Sequence, residues 1–187
     1  MALTPIPRHW SAVQWTESRQ IFEFLDWGDR VTDALPQSVT EGYDHLRTNG
    51  EPHDAIYYLA SALPRMDAVS WASQFLDELS RVDALAIRDQ QALDSVQRWI
   101  GDPIEDYRRA AFNAAENASS DSPERLLALA AFFSGGNISS PDLEPVEPPP
   151  NAAGKLAATA ILGGIFRNGP DPARIERALQ MGEERAC

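Results

Sequence analysis

Between residues 137 and 150 the chain carries Pro141, Pro145, Pro148, Pro149 and Pro150, with acids at Asp142, Glu144 and Glu147. Proline at this density fixes φ and removes backbone donors, so the segment neither continues a helix nor enters a sheet interior. It favours polyproline geometry, in which residues 137–150 span roughly 40 Å at about 3.1 Å each. The two most apolar stretches of the chain flank it, "ERLLALAAFF" before and "LAATAILGGIF" after. Two uses fit such a segment. One is a strap that carries the chain from one end of a helical bundle to the other. The other is a rigid exposed surface that a partner grips.

The rest of the sequence reads as helix. Asp102-Pro103, Ser122-Pro123 and Asp171-Pro172 each place a capping side chain before a proline, the pattern of a helix start. Helical periodicity follows each pair, as with Tyr107, Ala110, Ala111, Ala114 and Ala115 after the first. Glu105 and Arg109 stand at i,i+4 on the outer side of that helix. Leu126, Leu129, Ala130 and Phe133 follow the second pair, and Gly135-Gly136 ends that helix. Upstream, Ala55, Ile56, Leu59 and Leu63 form one stripe, and Pro64 separates it from Val69, Ala72, Phe75, Leu76 and Leu79. Ile87, Leu93, Val96 and Ile100 form another, and residues 16–26 and 38–48 read as shorter helices. Alternating β-type runs are essentially absent. The expected fold is all-α: a single helical domain over residues 1–187, with an N-terminal arm (1–15) and the Pro-rich connection (137–150). Short connections favour a multi-helix bundle or stacked helical hairpins. "GDPIEDYRRAAFNAAEN" also looks like one unit of a HEAT-type repeat, but no period near 40 residues recurs.

Ala157, Ala160, Gly163 and Gly164 let another backbone approach closely. Each glycine costs a helix about 1 kcal/mol relative to alanine, so this helix belongs in the centre of the bundle. Trp99 reads as core. Trp10, Trp15 and Trp27 crowd the N-terminal region, where they can pin the arm onto the bundle.

Reactive chemistry is sparse. His9, His45 and His53 have no histidine or cysteine at ligand spacing, and Cys187 is the only cysteine, so neither a zinc motif nor an internal disulfide is expected. "FSGGN" follows a helix, where the dipole repels anions, so it reads as a helix stop and not a phosphate loop. Ser134 lacks a nucleophile elbow. Glu116 alone lies within an alanine-rich helix, where an ion pair to another helix is as good an account as catalysis. No catalytic residue, metal or cofactor is expected.

The net charge of −12 disfavours nucleic acid and anionic membrane surfaces. The longest apolar run, Leu156 to Phe166, falls well short of the roughly 20 residues of a membrane span. "MALTPIPRHW" lacks the basic and apolar regions of a signal peptide, so a cytoplasmic location is expected.

Three segments resemble a bacterial family of unknown function: "DAIYYLASALPRMDAVSWA", "DPIEDYRRAAFNAAENA" and "LALAAFFSGGNISSPDLEPVEPPP". Their shared features are an Ala-Leu-Pro-Arg turn, an Ala-Val-x-Trp helix and a Ser-Gly-Gly segment leading into prolines. This chain departs from the pattern at Met66, Ser70 and Phe133. The resemblance implies an all-helical fold and an accessory role near type VI secretion genes, and it carries no catalytic residue.

The leading expectation is a non-enzymatic interaction or adaptor module that binds a protein partner. Its candidate contacts are Arg65, Trp71, Pro141, Pro145 and Pro148. Tryptophan and arginine dominate interface hot spots, although Trp71 also fits the core. The alternatives are a small-molecule- or lipid-binding helical domain, with a carboxylate-based site if it is an enzyme, and an acidic immunity-type inhibitor of a basic toxin.

Overall fold

The computed structural model describes residues 9–49, 52–140 and 142–187. Among them the chain forms nine α-helices and no strand: α1 (Ser18–Phe24), α2 (Val39–Thr48), α3 (Pro52–Ala62), α4 (Arg65–Ser80), α5 (Ile87–Gly101), α6 (Glu105–Asn117), α7 (Pro123–Phe132), α8 (Ala152–Phe166) and α9 (Pro172–Ala186). The fold is all-α, as the periodicity predicts.

Helix α8 is the centre. It packs most extensively on α7 and then on α4 and α3, and it also touches α9. Its small residues make this possible. A methyl group at Gly164 would lie 2.5 Å from Leu76 Cδ2, and one at Gly163 would lie 3.0 Å from Pro123 Cγ. Helices α5, α6 and α7 pack against one another on one side, while α1, α2 and α3 pack on the other. The apolar core runs continuously from Ile21 in α1 through Trp99 in α5 to Ala186 in α9.

Two of the three proline starts are formed as expected. Ser122 Oγ accepts from Arg125 N at 3.1 Å. Asp171 Oδ1 accepts from Ala173 N at 2.9 Å. The third differs. Asp102 is extended and closes α5, and α6 begins only at Glu105. A residue before proline avoids the helical region, and Ile104 N turns back to Asp102 O at 2.8 Å, which moves the start two residues on. Ile87 also departs from expectation: it opens α5 and is 80% exposed, while Asp89 of the same turn is buried.

The N-terminal tryptophans hold their segment to the bundle. Trp15 Nε1 donates to Ser61 O at 2.9 Å, and Trp10 packs on Tyr43. The first eight residues of the expected arm lie outside the described residues. Helix α9 is seated on α3 and α4 through Gly182, where a methyl would lie 2.6 Å from Leu59 Cδ2 and 2.7 Å from Trp71 Cζ2.

Asp89 fastens the α6–α7 turn to α5. Its carboxylate accepts from Ser119 N at 2.7 Å and from Ser119 Oγ at 2.8 Å. Burial raises the Asp89 pKa, but the hydrogen bonds from Ser119 and Ser122 outweigh it, so the carboxyl titrates below its ordinary value. A depressed folded-state pKa stabilises the fold above the unfolded-state value of about 3.9, and that contribution is lost as pH falls through the folded-state value. Asp89→Ala is expected to cost about 1–3 kcal/mol at pH 7 and progressively less below pH 4, measured by urea unfolding across pH.

Candidate functional site

The strap and the helix ends beneath it form the most distinctive surface. Helix α7 stops at Phe132, and the chain turns through Gly136 at φ 69°, a left-handed conformation that suits glycine. A side chain there would also collide with a guanidinium, since a methyl would lie 2.9 Å from Arg108 Nη2. Arg108 projects from α6 into this turn and is only 5% exposed.

The surroundings of Arg108 account for its burial. Nε and Nη2 form a fork on Glu105, each at 2.8 Å. Nη1 donates to Phe132 O at the end of α7, and Nη2 donates to Asn137 O at 2.8 Å. The guanidinium lies over the Phe132 ring, 4.7 Å from its centroid. Arg109 adds bonds from Nη2 to Asn137 O at 3.0 Å and from Nη1 to Ser139 O at 3.3 Å. The expected Glu105–Arg109 pair is present at 2.7 Å. Hydrogen bonding to Arg108, with the charge of both arginines, holds the Glu105 carboxyl below its usual range. Two arginines of α6 thus cap the carbonyl end of α7 and grip the root of the strap.

The strap is not an extended crossover. Asn137 Oδ1 accepts from Ser139 N at 2.9 Å and from Val146 N at 2.8 Å. Ile138 N donates to Val146 O at 2.9 Å, so residues 138–146 leave and return to one place. The Ile138–Val146 backbone bond and the Asn137 side chain turn the segment back before proline stiffness can carry it across. At the loop tip Leu143 is 65% exposed, and at its closing end Val146 is 50% exposed. Asp142, Glu144, Pro145 and Glu147 are exposed as well. Beyond the loop, Asn151 Nδ2 donates to Phe24 O at 2.9 Å and so ties the start of α8 to α1.

The five candidate contacts separate. Arg65 is exposed at this end of the molecule, with Nη1 3.2 Å from Ser134 O. Pro145 is exposed and Pro148 is buried. Pro141 lies outside the described residues. Trp71 is corrected outright: it is 0% exposed, with Nε1 donating to Ala178 O at 2.9 Å, and so presents nothing to a partner. Its offset from the main stripe of α4 points it at α9. Sequence reading missed Arg108 and Asn137, whose carbonyl and amide partners lie far along the chain or across a turn.

A groove of about 340 Å³ adjoins the loop, lined by Met66, Trp99, Pro103, Ile104 and Gly135. Arg108 borders it and bonds the loop root, so groove and loop share one brace. A larger groove of about 570 Å³ lies between α4 and α9, but its charges are paired, Arg177 with Glu78 at 2.6 Å and Arg185 with Asp67 at 3.2 Å. Glu116 is exposed and 3.5 Å from Arg125 on α7. His45 lies beside Asn49, and His53 packs on Phe166. Among the described residues no three His, Cys, Asp or Glu side chains are grouped to hold a metal, and no helix is long and apolar enough to cross a membrane.

A family model described as "Family of unknown function (DUF6931)" matches residues 43–186, which include α3 to α9, the arginine brace and the strap. No curated protein and no solved structure matches the chain. The chain belongs to the DUF6931 family.

Proposed function

We propose that this DUF6931 member is a non-enzymatic protein-interaction module, an adaptor whose partner docks at the strap end of the bundle. The observation that carries this reading is the braced loop. Arg108, Arg109 and Asn137 fix its root, while Leu143 at its tip and Val146 at its closing end hold apolar side chains in water. Exposing apolar side chains on a rigid support favours association, because little ordering entropy is lost on binding. Arg65 and the adjoining groove extend the same face. The sequence resemblance supports the finer reading of a bacterial, cytoplasmic accessory of a type VI secretion apparatus.

The test is a pair of charge insertions, Leu143→Asp and Val146→Asp, in the tagged chain expressed in its own host. Both side chains are exposed, so the melting temperature is expected to stay within about 2 °C of the parent. Proteins cross-linked to the parent and identified by mass spectrometry are expected to fall at least tenfold in the double variant. Unchanged recovery with the fold intact would remove the strap from the binding face.

A further inference from the structure

Resting on that interaction reading, we infer that the occupant of the strap end is a basic segment of a protein partner, with an aliphatic side chain that enters the groove beside Ile104. Charge and shape carry this together. The loop exposes Asp142, Glu144 and Glu147, and Asp102 after α5 and Asp106 in the first turn of α6 are exposed as well. Among the described residues none of these five acids has an ion-pair partner within 4 Å. Arg108 and Arg109 are already engaged: they share Glu105, and both donate to strap carbonyls, while Arg98 lies over the Tyr107 ring.

Five such acids outnumber the two exposed arginines of this end, Arg65 and Arg98, and leave a net negative field that attracts cations and repels anions. Ile104, 44% exposed, stands between Asp102 and Asp106 along the chain and lines a groove of about 340 Å³ that Gly135 and Gly136, just before the loop root, also line, with room for one or two aliphatic side chains. A partner segment with arginine or lysine on both sides of a leucine or isoleucine satisfies both features. Phosphate backbones and anionic lipid surfaces are repelled by the same five carboxylates.

The probe is a synthetic six-residue peptide, two leucines flanked on each side by two arginines, against a twin with glutamates in place of the arginines. Each is titrated into the isotopically labelled full chain and followed by amide chemical shifts. The basic peptide is expected to shift amides within residues 102–106, 134–137 and 142–147, with affinity falling roughly tenfold between 50 and 300 mM salt as charges are screened. The variant combining Asp142→Asn, Glu144→Gln and Glu147→Gln is expected to bind at least fivefold more weakly while melting at the parent temperature. Equal shifts from the glutamate peptide, or basic-peptide shifts confined to the α4–α9 groove, would overturn the inference. So would native-partner capture that the Leu143 and Val146 variants abolish but that neutralising the acids and raising salt leave unchanged; that outcome spares the docking face itself. Capture that survives the Leu143 and Val146 variants removes the face and the inference together.

Discussion

Arg108→Ala is expected to lower the thermal midpoint by about 10 °C, the larger effect of any change at the strap. Three groups are affected at once: Phe132 O at the end of α7 loses its guanidinium donor, while Asn137 O at the loop root and the Glu105 carboxylate are each left with Arg109 alone. Each buried acceptor left unpaired costs about 1–3 kcal/mol, and loss of the ion pair, whose Glu105 side chain is 49% exposed, adds about 1 kcal/mol or less. These terms overlap, and water reaches part of the vacated site, so a total of about 3–4 kcal/mol is expected. In a chain of this size each kcal/mol moves the midpoint by about 2–4 °C. Arg108→Lys keeps the charge but not the planar fork, and is expected to recover less than half of the loss. Arg109→Ala, whose side chain is 31% exposed, is expected to cost about 1 kcal/mol. Circular dichroism melts of the three variants give the comparison. A shift under about 3 °C for Arg108→Ala would mean that solvent serves these carbonyls as well as the guanidinium does, and the brace would then have no structural importance.

Trp71→Ala is expected to cost about 3–5 kcal/mol, the range for deleting a fully buried large aromatic. The ring fills the space between α4 and α9, and its N–H satisfies Ala178 O. Ion pairs along the same seam, Arg174 with Asp83 at 2.9 Å and Arg177 with Glu78 at 2.6 Å, do not offset this, because such partly exposed pairs contribute about 1 kcal/mol or less. Trp71→Phe retains much of the packing but leaves the Ala178 carbonyl without its donor, at about 1–2 kcal/mol. Urea unfolding measures both, and hydrogen exchange in α9 identifies where the loss falls. A partner-contact role for Trp71 predicts the opposite result, stability unchanged and binding lost.

These two residues mark the boundary of what the sequence made legible. Although α7 stops at Phe132, ahead of the Gly135-Gly136 pair expected to end it, Ser122-Pro123 and Asp171-Pro172 act through bonds a few residues long, so their effect on α7 and α9 could be read locally. The same holds for the small-residue face of α8, whose composition has few uses outside a tight core. Arg108 and Trp71 are decided by tertiary partners, 24 and 107 residues away respectively. Periodicity places Arg108 beside Ala111 but says nothing of the carbonyls that await it. The strap misled for a related reason. Proline content correctly excluded helix and sheet, but the bond from Val146 N to Asn137, nine residues back, depends on a side-chain amide that composition does not weigh.

The closed root of the 138–146 loop also bears on how such a chain changes over generations. Asn137 and the Ile138–Val146 pair seal the excursion before it reaches the core, so the tip is insulated from folding. Lengthening a loop costs only logarithmically in closure entropy, roughly 0.6 kcal/mol per doubling. Mutations that rewrite residues 142–145 therefore meet almost no stability barrier, and selection is free to change the side chains the loop exposes while the helices beneath remain as they are.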